Sequence, residues 1–287
     1  MIKVKNLDFT YHKAAAPTLH GMSFEIAKGE IMGFLGPSGA GKSTTQNILI
    51  GMLKNYTGNI EIMGRELSDW GKDFYEHIGV SFELPNHFLK LTARENLEHF
   101  SSLYSGDKHD VMEVMDWVDL ANDADKKVSD FSKGMKIRLN VARSLIHKPK
   151  ILFLDEPTSG LDPVNAAKIK KLAFNLRDEG TTIFITTHNM TLADQMCDRV
   201  AFVTDGHLRA IDKPSNFKKQ YGKRFVDVEY IGAAQKPEIA NFAMDGLGEN
   251  KQFFELLNSG QHIETIHSEE TTLENVFIEL TGQELDA

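Results

Sequence analysis

The sequence predicts an α/β protein built on a mostly parallel β-sheet with helices on both faces. Short, wholly apolar segments such as Ile151–Leu154 alternate along the chain with segments whose apolar residues recur at helical spacing. Strands that are apolar on both sides are typical of parallel sheets, because crossover helices cover both faces. Another apolar segment, Ile31–Leu35, stops at a glycine-rich loop that leads into a helix-like segment, which fits the same architecture.

The first 80 residues are predicted to be rich in strands. Residues 2–9 alternate between apolar and polar, as a half-buried strand does, and another strand precedes the turn at residues 28–30. Residues 57–80 contain short strand-like segments separated by turns. We expect an antiparallel β subdomain beside the parallel sheet, and a helix at Ser43–Leu53 after the glycine-rich loop.

The middle of the chain, from about residue 92 to 147, changes to helical character. Ala93–Tyr104 and Asp110–Leu120 carry apolar residues at helical spacing, and a third helix starts near Ser132. We therefore expect a helical subdomain at about residues 84–148, inserted into the α/β core.

Strand and helix alternate again from residue 150 onward. The predicted elements are a strand at Ile151–Leu154, a helix at Val164–Glu179, a strand at Thr182–Thr186, a helix at Thr191–Cys197 and a strand at Arg199–Thr204. Gly180 follows the longer helix, in the position where a left-handed residue commonly ends a helix. This part would supply the remaining strands of the parallel sheet.

The C-terminal part of the chain differs in character and is predicted to be a small α+β extension. Its predicted elements are strands at Phe225–Ile231 and His262–Ile266 and a helix at Thr272–Leu280. Thr271-x-x-Glu274 matches a capping box that would start this helix. The sequence thus predicts a main domain at residues 1–218 and an extension at residues 219–287.

The composition of the chain argues against some classes of function. The chain has 287 residues with 32 Lys and Arg against 41 Asp and Glu, a net charge of −9, which argues against a general nucleic-acid binder. The single cysteine, Cys197, suits a reducing compartment and is expected to be a small packing residue. No apolar run approaches the ~20 residues that span a bilayer, so a membrane role would come through a partner.

The glycine-rich loop fits a phosphate-binding pattern at every fixed position. It reads Gly36-Pro37-Ser38-Gly39-Ala40-Gly41-Lys42-Ser43 and lies between a strand and a helix. Its backbone N–H groups can cradle an anion at the N-terminus of the helix. Lys42 is predicted to reach the β- and γ-phosphates of ATP, and Ser43 to bind Mg²⁺ through its hydroxyl. We assign ATP binding to this loop and to Thr44.

Two carboxylates follow a predicted buried strand. Asp155 and Glu156 come directly after Ile151–Leu154. Because the carboxyl ends of parallel strands meet at one edge of a sheet, we expect Asp155 to lie beside the phosphate-binding loop. It can hold Mg²⁺ there through water, since Mg²⁺ sheds its water ligands reluctantly. Glu156, one residue further, can act on an attacking water as a general base.

Further motifs in a fixed order make residues 1 to about 215 resemble the ATP-binding subunits of ABC transporters. The chain carries Phe131-Ser132-Lys133-Gly134-Met135 where the family has its signature, Ser159-Gly160-Leu161-Asp162 where it has its D-loop, Thr187-His188 where it has its switch histidine, and Tyr11 where it has the aromatic residue that stacks on adenine. Taken singly, each has a plainer interpretation: Tyr11 as a packed strand residue, His188 as an ordinary surface or core histidine, and Ser132 as a helix N-cap.

The resemblance implies a P-loop NTPase core that hydrolyses ATP with Mg²⁺ in a head-to-tail dimer, each ATP being held between two subunits. Residues 132–135 would contact the ATP bound by the other subunit. The implied catalytic residues are Lys42, Glu156 and His188, and the implied metal ligands are Ser43, Glu83 and Asp155. The chain departs from the family's pattern where Glu83 replaces a glutamine, Lys133 a glycine and Met135 a glutamine, which puts the rate of hydrolysis in question.

The implied function is to energise a membrane transporter, and a C-terminal segment at residues 272–277 resembles the tails of exporter subunits. The expected partners are an integral membrane permease and a second copy of this chain or a homologous ATPase subunit, with no nucleic acid. We expect Leu84–Leu89 to form the permease groove and the protein to be cytoplasmic, peripheral on the inner face of the membrane. The alternatives are a soluble ABC ATPase acting on a ribosome or nucleic-acid complex, and a weakly hydrolysing regulatory subunit.

Overall fold

The structure is a computed structural model that describes residues 1–222, 225–232, 236–269 and 271–282. The chain divides into two compact units, of which the first spans Met1–Lys213 and the second begins at Pro214. This division lies a few residues before residue 218, where the sequence predicts the main domain to end, because the helix that starts at Pro214 packs within the second unit.

The first unit contains strands and helices near the predicted positions, with one further strand at its end, but the helix predicted at Ser43–Leu53 ends at Leu49. Its strands are β1 (Ile2–Phe9), β2 (Leu19–Ile26), β3 (Ile31–Leu35), β4 (Thr57–Ile62), β5 (Arg65–Glu66), β6 (Ile78–Ser81), β7 (Ile151–Asp155), β8 (Thr182–Thr187), β9 (Arg199–Thr204) and β10 (His207–Asp212). Its helices are α1 (Lys42–Leu49), α2 (Ala93–Ser101), α3 (Val111–Trp117), α4 (Lys133–Leu145), α5 (Pro163–Asp178) and α6 (Met190–Met196), with 3₁₀ turns at Leu67–Asp69, Lys72–Glu76, Ala121–Asp123 and Val128–Asp130.

A six-stranded sheet forms the centre of this unit, with strand order β10-β9-β3-β8-β7-β6. All neighbouring pairs are parallel except β9 and β10. Strands β3 and β7 are mainly apolar and β8 is rich in β-branched residues, and all three are buried along almost their whole length, as strands covered on both faces are. The prediction of a mostly parallel sheet is confirmed, and the carboxyl ends of β3, β6, β7 and β8 meet at one edge.

A second, antiparallel sheet, with order β2-β1-β4-β5, provides the predicted β subdomain. Its alternating apolar residues, such as Val4 and Phe24, join the helix α1 and one face of the parallel sheet in a single hydrophobic core. The rings of Phe24 and Phe34, from β2 and β3, meet edge to face at 4.8 Å and connect the two sheets. This core fixes the position of the loop between β3 and α1.

Helices α2, α3 and α4 make up the helical subdomain. Thr92 and Glu95 form a capping box at the start of α2, and Asp110 caps α3 by accepting from the backbone N–H groups of Met112 and Glu113. Helix α3 therefore starts at Val111 because Asp110 is its cap, and it ends at Trp117, before the predicted end at residue 120.

The single cysteine packs tightly in the core. Cys197 follows α6 and is buried against β3, where a Cβ built on Gly33 would lie 2.6 Å from its sulfur atom. Gly33 therefore leaves the space that the thiol fills. Burial raises the pKa of the Cys197 thiol, with Asp198 adding to the effect.

The second unit is a small α+β fold. It contains α7 (Pro214–Tyr221), β11 (Phe225–Ile231), β12 (Pro237–Ala243), a 3₁₀ turn at Leu247–Glu249, α8 (Lys251–Leu257), β13 (Ile263–Glu269) and α9 (Leu273–Thr281). The strands form an antiparallel sheet with order β12-β11-β13 around Val226, Val228 and Phe242. The predicted capping box at Thr271 is wrong, because the cap of α9 is Thr272, which accepts from Asn275 N at 3.2 Å.

Candidate functional site

Except for Tyr11 and Gly36, the residues predicted to bind ATP in the chain's own site and to hydrolyse it meet in one open cavity of about 340 Å³. The cavity is lined by Pro37, Ser38, Gly39, Ala40, Gly41, Lys42, Ser43, Thr44, Glu83, Asp155, Glu156 and His188. They come together because β3, β6, β7 and β8 end at the same edge of the sheet. In that sheet Leu35 is paired with Thr187, and Asp155 with Thr186.

The loop between β3 and α1 takes a form that only glycine permits at two positions. A Cβ on Gly36 would overlap the carbonyl oxygen of Val203, and one on Gly41 would lie 2.6 Å from Leu19 Cδ2. Gly41 is also the N-cap of α1 and has a φ of 103°, in the left-handed region. The loop thus bends around the start of a helix with its residues lining the cavity, a position that suits anion binding.

Lys42 lies at the floor of this loop. Its Nζ donates to the carbonyl oxygens of Gly36 and Pro37 at 2.7 and 2.9 Å. Burial lowers the pKa of Lys42, although the negative charges of Glu156, Asp155 and Glu83 act to raise it. Because an ammonium group has three donors, two carbonyl contacts leave one N–H for a phosphate oxygen.

Asp155, at the end of β7, is a half-buried carboxylate. It accepts a hydrogen bond from the hydroxyl of Thr186 on the neighbouring strand. Burial raises the pKa of Asp155 and the nearby charges of Glu83 and Glu156 add to this, while Thr186 and Lys42 lower it. The cavity therefore concentrates more negative charge than Lys42 alone balances, which favours binding of a cation there.

Glu156 is held by three donors from the end of β8. Its Oε1 accepts from His188 Nδ1 at 2.7 Å and from the His188 backbone N–H at 2.9 Å, and its Oε2 accepts from the Thr187 hydroxyl at 2.8 Å. Glu156 also has a φ of 47°, which is uncommon for a residue other than glycine. The Glu156 side chain is 11% exposed, whereas that of His188 is 63% exposed. The carboxylate is thus fixed while the imidazole faces the open cavity.

Tyr11 reaches the far side of the phosphate-binding loop. Its hydroxyl lies 3.1 Å from Thr44 Oγ1, and its ring meets Phe9 edge to face at 4.9 Å. The residue is 42% exposed, so one side of the ring remains open to solvent. An open aromatic face beside a phosphate site is suited to stacking on a purine base.

The predicted signature residues and Asp162 do not line this cavity. Ser132 is the N-cap of α4, and its hydroxyl accepts from the Met135 backbone N–H at 3.2 Å. Asp162 caps α5 by accepting from the N–H groups of Val164 and Asn165 at 3.0 Å. Lys133 and Gly134 lie on the first turn of α4. Within one chain, these segments therefore form a second surface, apart from the phosphate-binding loop.

Comparison with known proteins identifies the family. Residues 19–159 match the family described as "ABC transporter". The chain is 53% identical over 285 residues, 99% of this chain and 94% of the relative, to two fluoroquinolone export ATP-binding proteins from Mycobacterium tuberculosis strains CDC 1551 / Oshkosh and H37Rv. This chain belongs to the ATP-binding proteins of ABC transporters. It is accordingly an ATP-binding and ATP-hydrolysing transporter subunit.

More distant relatives agree with this ABC assignment. The bacitracin transport ATP-binding protein BcrA of Bacillus licheniformis is 32% identical, over 97% of each chain. A dimeric ATP-binding cassette in a post-hydrolysis state, bound to ADP and Pi, superimposes with a TM-score of 0.68 at 29% identity, over 74% of this chain and 98% of that chain. Residues 224–270 match the family described as "Fluoroquinolone efflux ABC transporter C-terminal domain".

The ABC site suits Mg²⁺ only together with nucleotide. Within the described residues, no three His, Cys, Asp or Glu side chains are grouped so as to hold a metal ion by themselves. Ser43, Glu83 and Asp155 nevertheless line the phosphate cavity with oxygen atoms, which are the ligands that Mg²⁺ prefers. Mg²⁺ is commonly held by one or two carboxylates plus substrate phosphates, so this donor set fits it.

Sequence reasoning missed the side chains that orient the two carboxylates. Thr186 and Thr187 bind Asp155 and Glu156 through their hydroxyls. Gln46, buried on α1, lies 3.4 Å from the Thr186 hydroxyl. Their position in the sequence could have indicated this role, because the two threonines lie at the carboxyl end of a predicted β-branched strand, beside the end of the neighbouring strand.

No helix in the described part of the chain is both long and apolar enough to cross a membrane.

Proposed function

We propose that this chain energises the export of aromatic drug molecules of the fluoroquinolone class through a separate membrane permease. The observation that carries the proposal is the extent of the similarity: the 53% identity to the mycobacterial export proteins runs over 99% of this chain and so includes the second unit. In this proposal the protein lies on the cytoplasmic face of the membrane and is attached through the permease.

Hydrolysis is assigned to residues that the cavity brings together. Glu156 acts as general base and takes a proton from the attacking water, because its carboxylate is oriented by hydrogen bonds and lies at the cavity wall. His188 faces the same space and, as an imidazolium paired with the Glu156 carboxylate, donates its Nε2–H to the γ-phosphate. Lys42 and the loop N–H groups stabilise the negative charge that develops on the transferred phosphoryl group.

Ser43, Asp155 and Glu83 are proposed to hold Mg²⁺ together with the phosphates. The ion, when bound, neutralises phosphate charge and orients the β- and γ-oxygens. Glu83 contributes an oxygen, as the family's glutamine does, but adds a negative charge. The pKa of Asp155 is raised in part by Glu83, so the two carboxylates share one local excess of negative charge.

A second copy of this chain, or a homologous subunit, is proposed to complete each site. The signature residues Ser132, Lys133, Gly134 and Met135 stand outside the phosphate cavity of their own chain and begin a 13-residue helix. Their backbone N–H groups are assigned to the ATP bound by the other copy. The cassette solved as a dimer bound to ADP and Pi supports this arrangement by its similarity to the present chain.

An aromatic groove on the helical subdomain is proposed to dock the permease. This groove has a volume of about 510 Å³, and its lining includes Phe82, His87, Phe88, Phe100 and Arg143. The Arg143 guanidinium lies over the Phe100 ring at 4.7 Å. Burial lowers the pKa of His87 to about 4, so His87 is neutral and its Nε2–H donates to Lys136 O at 2.9 Å.

The test is drug accumulation in a susceptible bacterial host that expresses this chain with its permease. We expect lower intracellular fluoroquinolone and a higher inhibitory concentration than in cells that express the permease with the Glu156→Gln chain. Equal accumulation in the two strains, with the parent chain hydrolysing ATP normally, would contradict the fluoroquinolone assignment. Bacitracin is tested in parallel, and resistance to bacitracin without resistance to fluoroquinolones would indicate a different exported compound.

A further inference from the structure

Lys133, the first residue of α4, lies across Gly160 in the loop that follows Glu156. A Cβ built on Gly160 would lie 3.1 Å from Lys133 Cε and 3.2 Å from both Cδ and Nζ. Such distances are shorter than an ordinary carbon contact of 3.5–4.0 Å. The missing side chain of Gly160 therefore leaves the space that the Lys133 stem occupies.

A second contact joins the same two segments. A Cβ built on Gly134 would lie 3.3 Å from Leu161 Cδ2 and 3.8 Å from Gly160 O. Two successive residues of the first turn of α4 thus pack against two successive residues of the loop. The first turn of α4 and this loop are in direct contact within one chain.

The loop between Glu156 and Asp162 is short and internally bonded. Ser159 N donates to Glu156 O, and Leu161 N to Thr158 O, both at 3.1 Å. Asp162 then caps α5 through two backbone N–H groups. These hydrogen bonds link the backbone of Glu156 to the segment that carries Gly160.

We propose that Lys133 is a positioning residue whose aliphatic stem, packed on Gly160, transmits movement of the first turn of α4 to Glu156 in the same chain. The inference rests on the proposed function, in which Glu156 is the general base and the start of α4 contacts nucleotide on the second copy. Engagement of α4 by the second copy then sets the position of the base in the first chain's own site.

A double-mutant cycle between positions 133 and 160 tests this contact in the purified full-length chain. Gly160→Ala adds a methyl group 3.1–3.2 Å from the end of the Lys133 side chain, which must shift to accept it, whereas Lys133→Gly removes that side chain. Gly160→Ala is expected to lower kcat by about threefold to tenfold more in the parent than in the Lys133→Gly background. The KM for ATP should change by the same factor in both backgrounds, because neither residue touches the chain's own phosphate loop. Equal losses of kcat in the two backgrounds would overturn the proposal.

The double-mutant cycle also separates the effect of backbone strain at residue 160 from the effect of its contact with Lys133. Gly160 has a φ of 72°, which alanine tolerates poorly, but this strain is the same in both backgrounds and cancels. If Gly160→Ala does not fold, Gly160→Asn carries the same Cβ and accepts the left-handed conformation more readily. Gly160→Asn is likewise expected to lower kcat more in the parent than in the Lys133→Gly background.

A second cycle, with Lys133→Met, distinguishes the stem from the charge. Methionine keeps an unbranched side chain of similar length without the ammonium group. Gly160→Ala should therefore cost as much kcat in the Lys133→Met background as in the parent. If Lys133→Met instead behaves like Lys133→Gly, the link is electrostatic and the packing proposal is wrong.

Two controls keep the outcomes distinct. Lys171, an exposed lysine on α5, provides the matched substitution Lys171→Gly, which should leave the cost of Gly160→Ala unchanged. Glu156→Gln is measured beside the cycle. Hydrolysis at the parent rate in Glu156→Gln would refute the general-base assignment. If Glu156→Gln loses hydrolysis as expected but the kcat effects at positions 133 and 160 are additive, only the Lys133 proposal is refuted.

Discussion

Glu156 Oε1 lies 2.7 Å from His188 Nδ1 and 2.9 Å from the His188 backbone nitrogen. The other carboxylate oxygen is held at 2.8 Å by the Thr187 hydroxyl. Glu156 ends up beside these donors because β7 and β8 are parallel neighbours in register. The end of the next strand therefore holds the carboxylate of the proposed base, while the loop that follows Glu156 connects its backbone to Gly160.

Glu156→Gln is expected to lower kcat for ATP hydrolysis by about 10²–10⁴-fold, since the amide cannot accept the proton of the attacking water. Nucleotide binding should persist, because the phosphate loop is unchanged. Turnover by a coupled phosphate assay and affinity by fluorescent-nucleotide titration give the two values. Glu179→Gln, on an exposed acid after α5, is the matched control. Parent-like turnover in Glu156→Gln would remove Glu156 from the role of base.

His188→Ala should lower kcat less than Glu156→Gln, by about 10–10²-fold. Two of the three donors to Glu156, the Thr187 hydroxyl and the backbone N–H of residue 188, survive this substitution. The base thus stays oriented while the γ-phosphate loses one contact. Single-turnover hydrolysis separates this effect from binding. A loss as large as that of Glu156→Gln would show that the imidazole itself is required to place the carboxylate.

Tyr11 is expected to contribute to ATP affinity through its ring rather than its hydroxyl. Tyr11→Ala should weaken ATP binding by about tenfold, in line with aromatic–base stacking of about 1–3 kcal/mol. Tyr11→Phe loses the hydrogen bond to Thr44 but keeps the ring, so a much smaller change is expected. Equilibrium titration of both variants decides between the two contributions. Equal weakening by Phe and Ala would assign the effect to the Thr44 contact.

Asp155→Asn is expected to stabilise the fold while impairing Mg²⁺-dependent nucleotide binding. Burial, together with Glu83 and Glu156, raises the pKa of Asp155, so its ionised form is disfavoured in the folded protein. Removing this disfavoured charge is expected to stabilise the fold by about 1 kcal/mol, which raises Tm by about 2–4 °C in a chain of this size. The Asn amide oxygen can still accept from Thr186.

The stabilisation by Asp155→Asn is expected to increase as the pH rises. From the ordinary aspartate pKa of about 4 up to the raised pKa, the folded protein retains a proton that the unfolded chain has lost, so the Asp155 contribution to stability falls as pH rises. The Tm advantage of Asp155→Asn should therefore be large at pH 7 and small at pH 4. An advantage that is independent of pH would contradict an origin in the Asp155 charge.

Leu84→Glu is expected to abolish drug export while leaving the ATPase rate of the isolated chain unchanged. Leu84 is 76% exposed in the segment that contributes Asn86, His87 and Phe88 to the proposed permease groove, and it lies outside the phosphate cavity. Leu103→Glu is the matched control, since Leu103 is 64% exposed just beyond the end of α2. Accumulation assays and ATPase rates are compared for the two variants. Equal export by both would place the permease contact elsewhere.

The elements closest to the ATP site were the most predictable from the sequence. Apolar strands, the glycine-rich loop and the acids after β7 are local patterns, and the rule that parallel strands end at one edge brings Lys42 to Asp155 and Glu156 without coordinates. What sequence could not supply was side-chain contact across strands. Thr187 and Glu156 are 31 residues apart, and their hydrogen bond depends on strand order and register.

The terminal parts of helices and the second unit were harder to predict. Asp110 and Thr272 act as caps, so the helices they precede start one residue later than hydrophobic spacing alone suggests. Strand β12 (Pro237–Ala243) carries little apolar periodicity because much of it is exposed, and it is defined by its pairing with β11. Local sequence pattern carries no information about such pairing.

The burial of Cys197 against Gly33 has a practical consequence for spectroscopy. It is the only cysteine in the sequence, and its thiolate is disfavoured because burial raises the thiol pKa. A maleimide or spin label therefore has no reactive native thiol to compete for it. Cysteines introduced at exposed positions, such as Lys171 and Leu103, can be labelled selectively without first removing the native residue, which suits distance measurements between two copies during the ATP cycle.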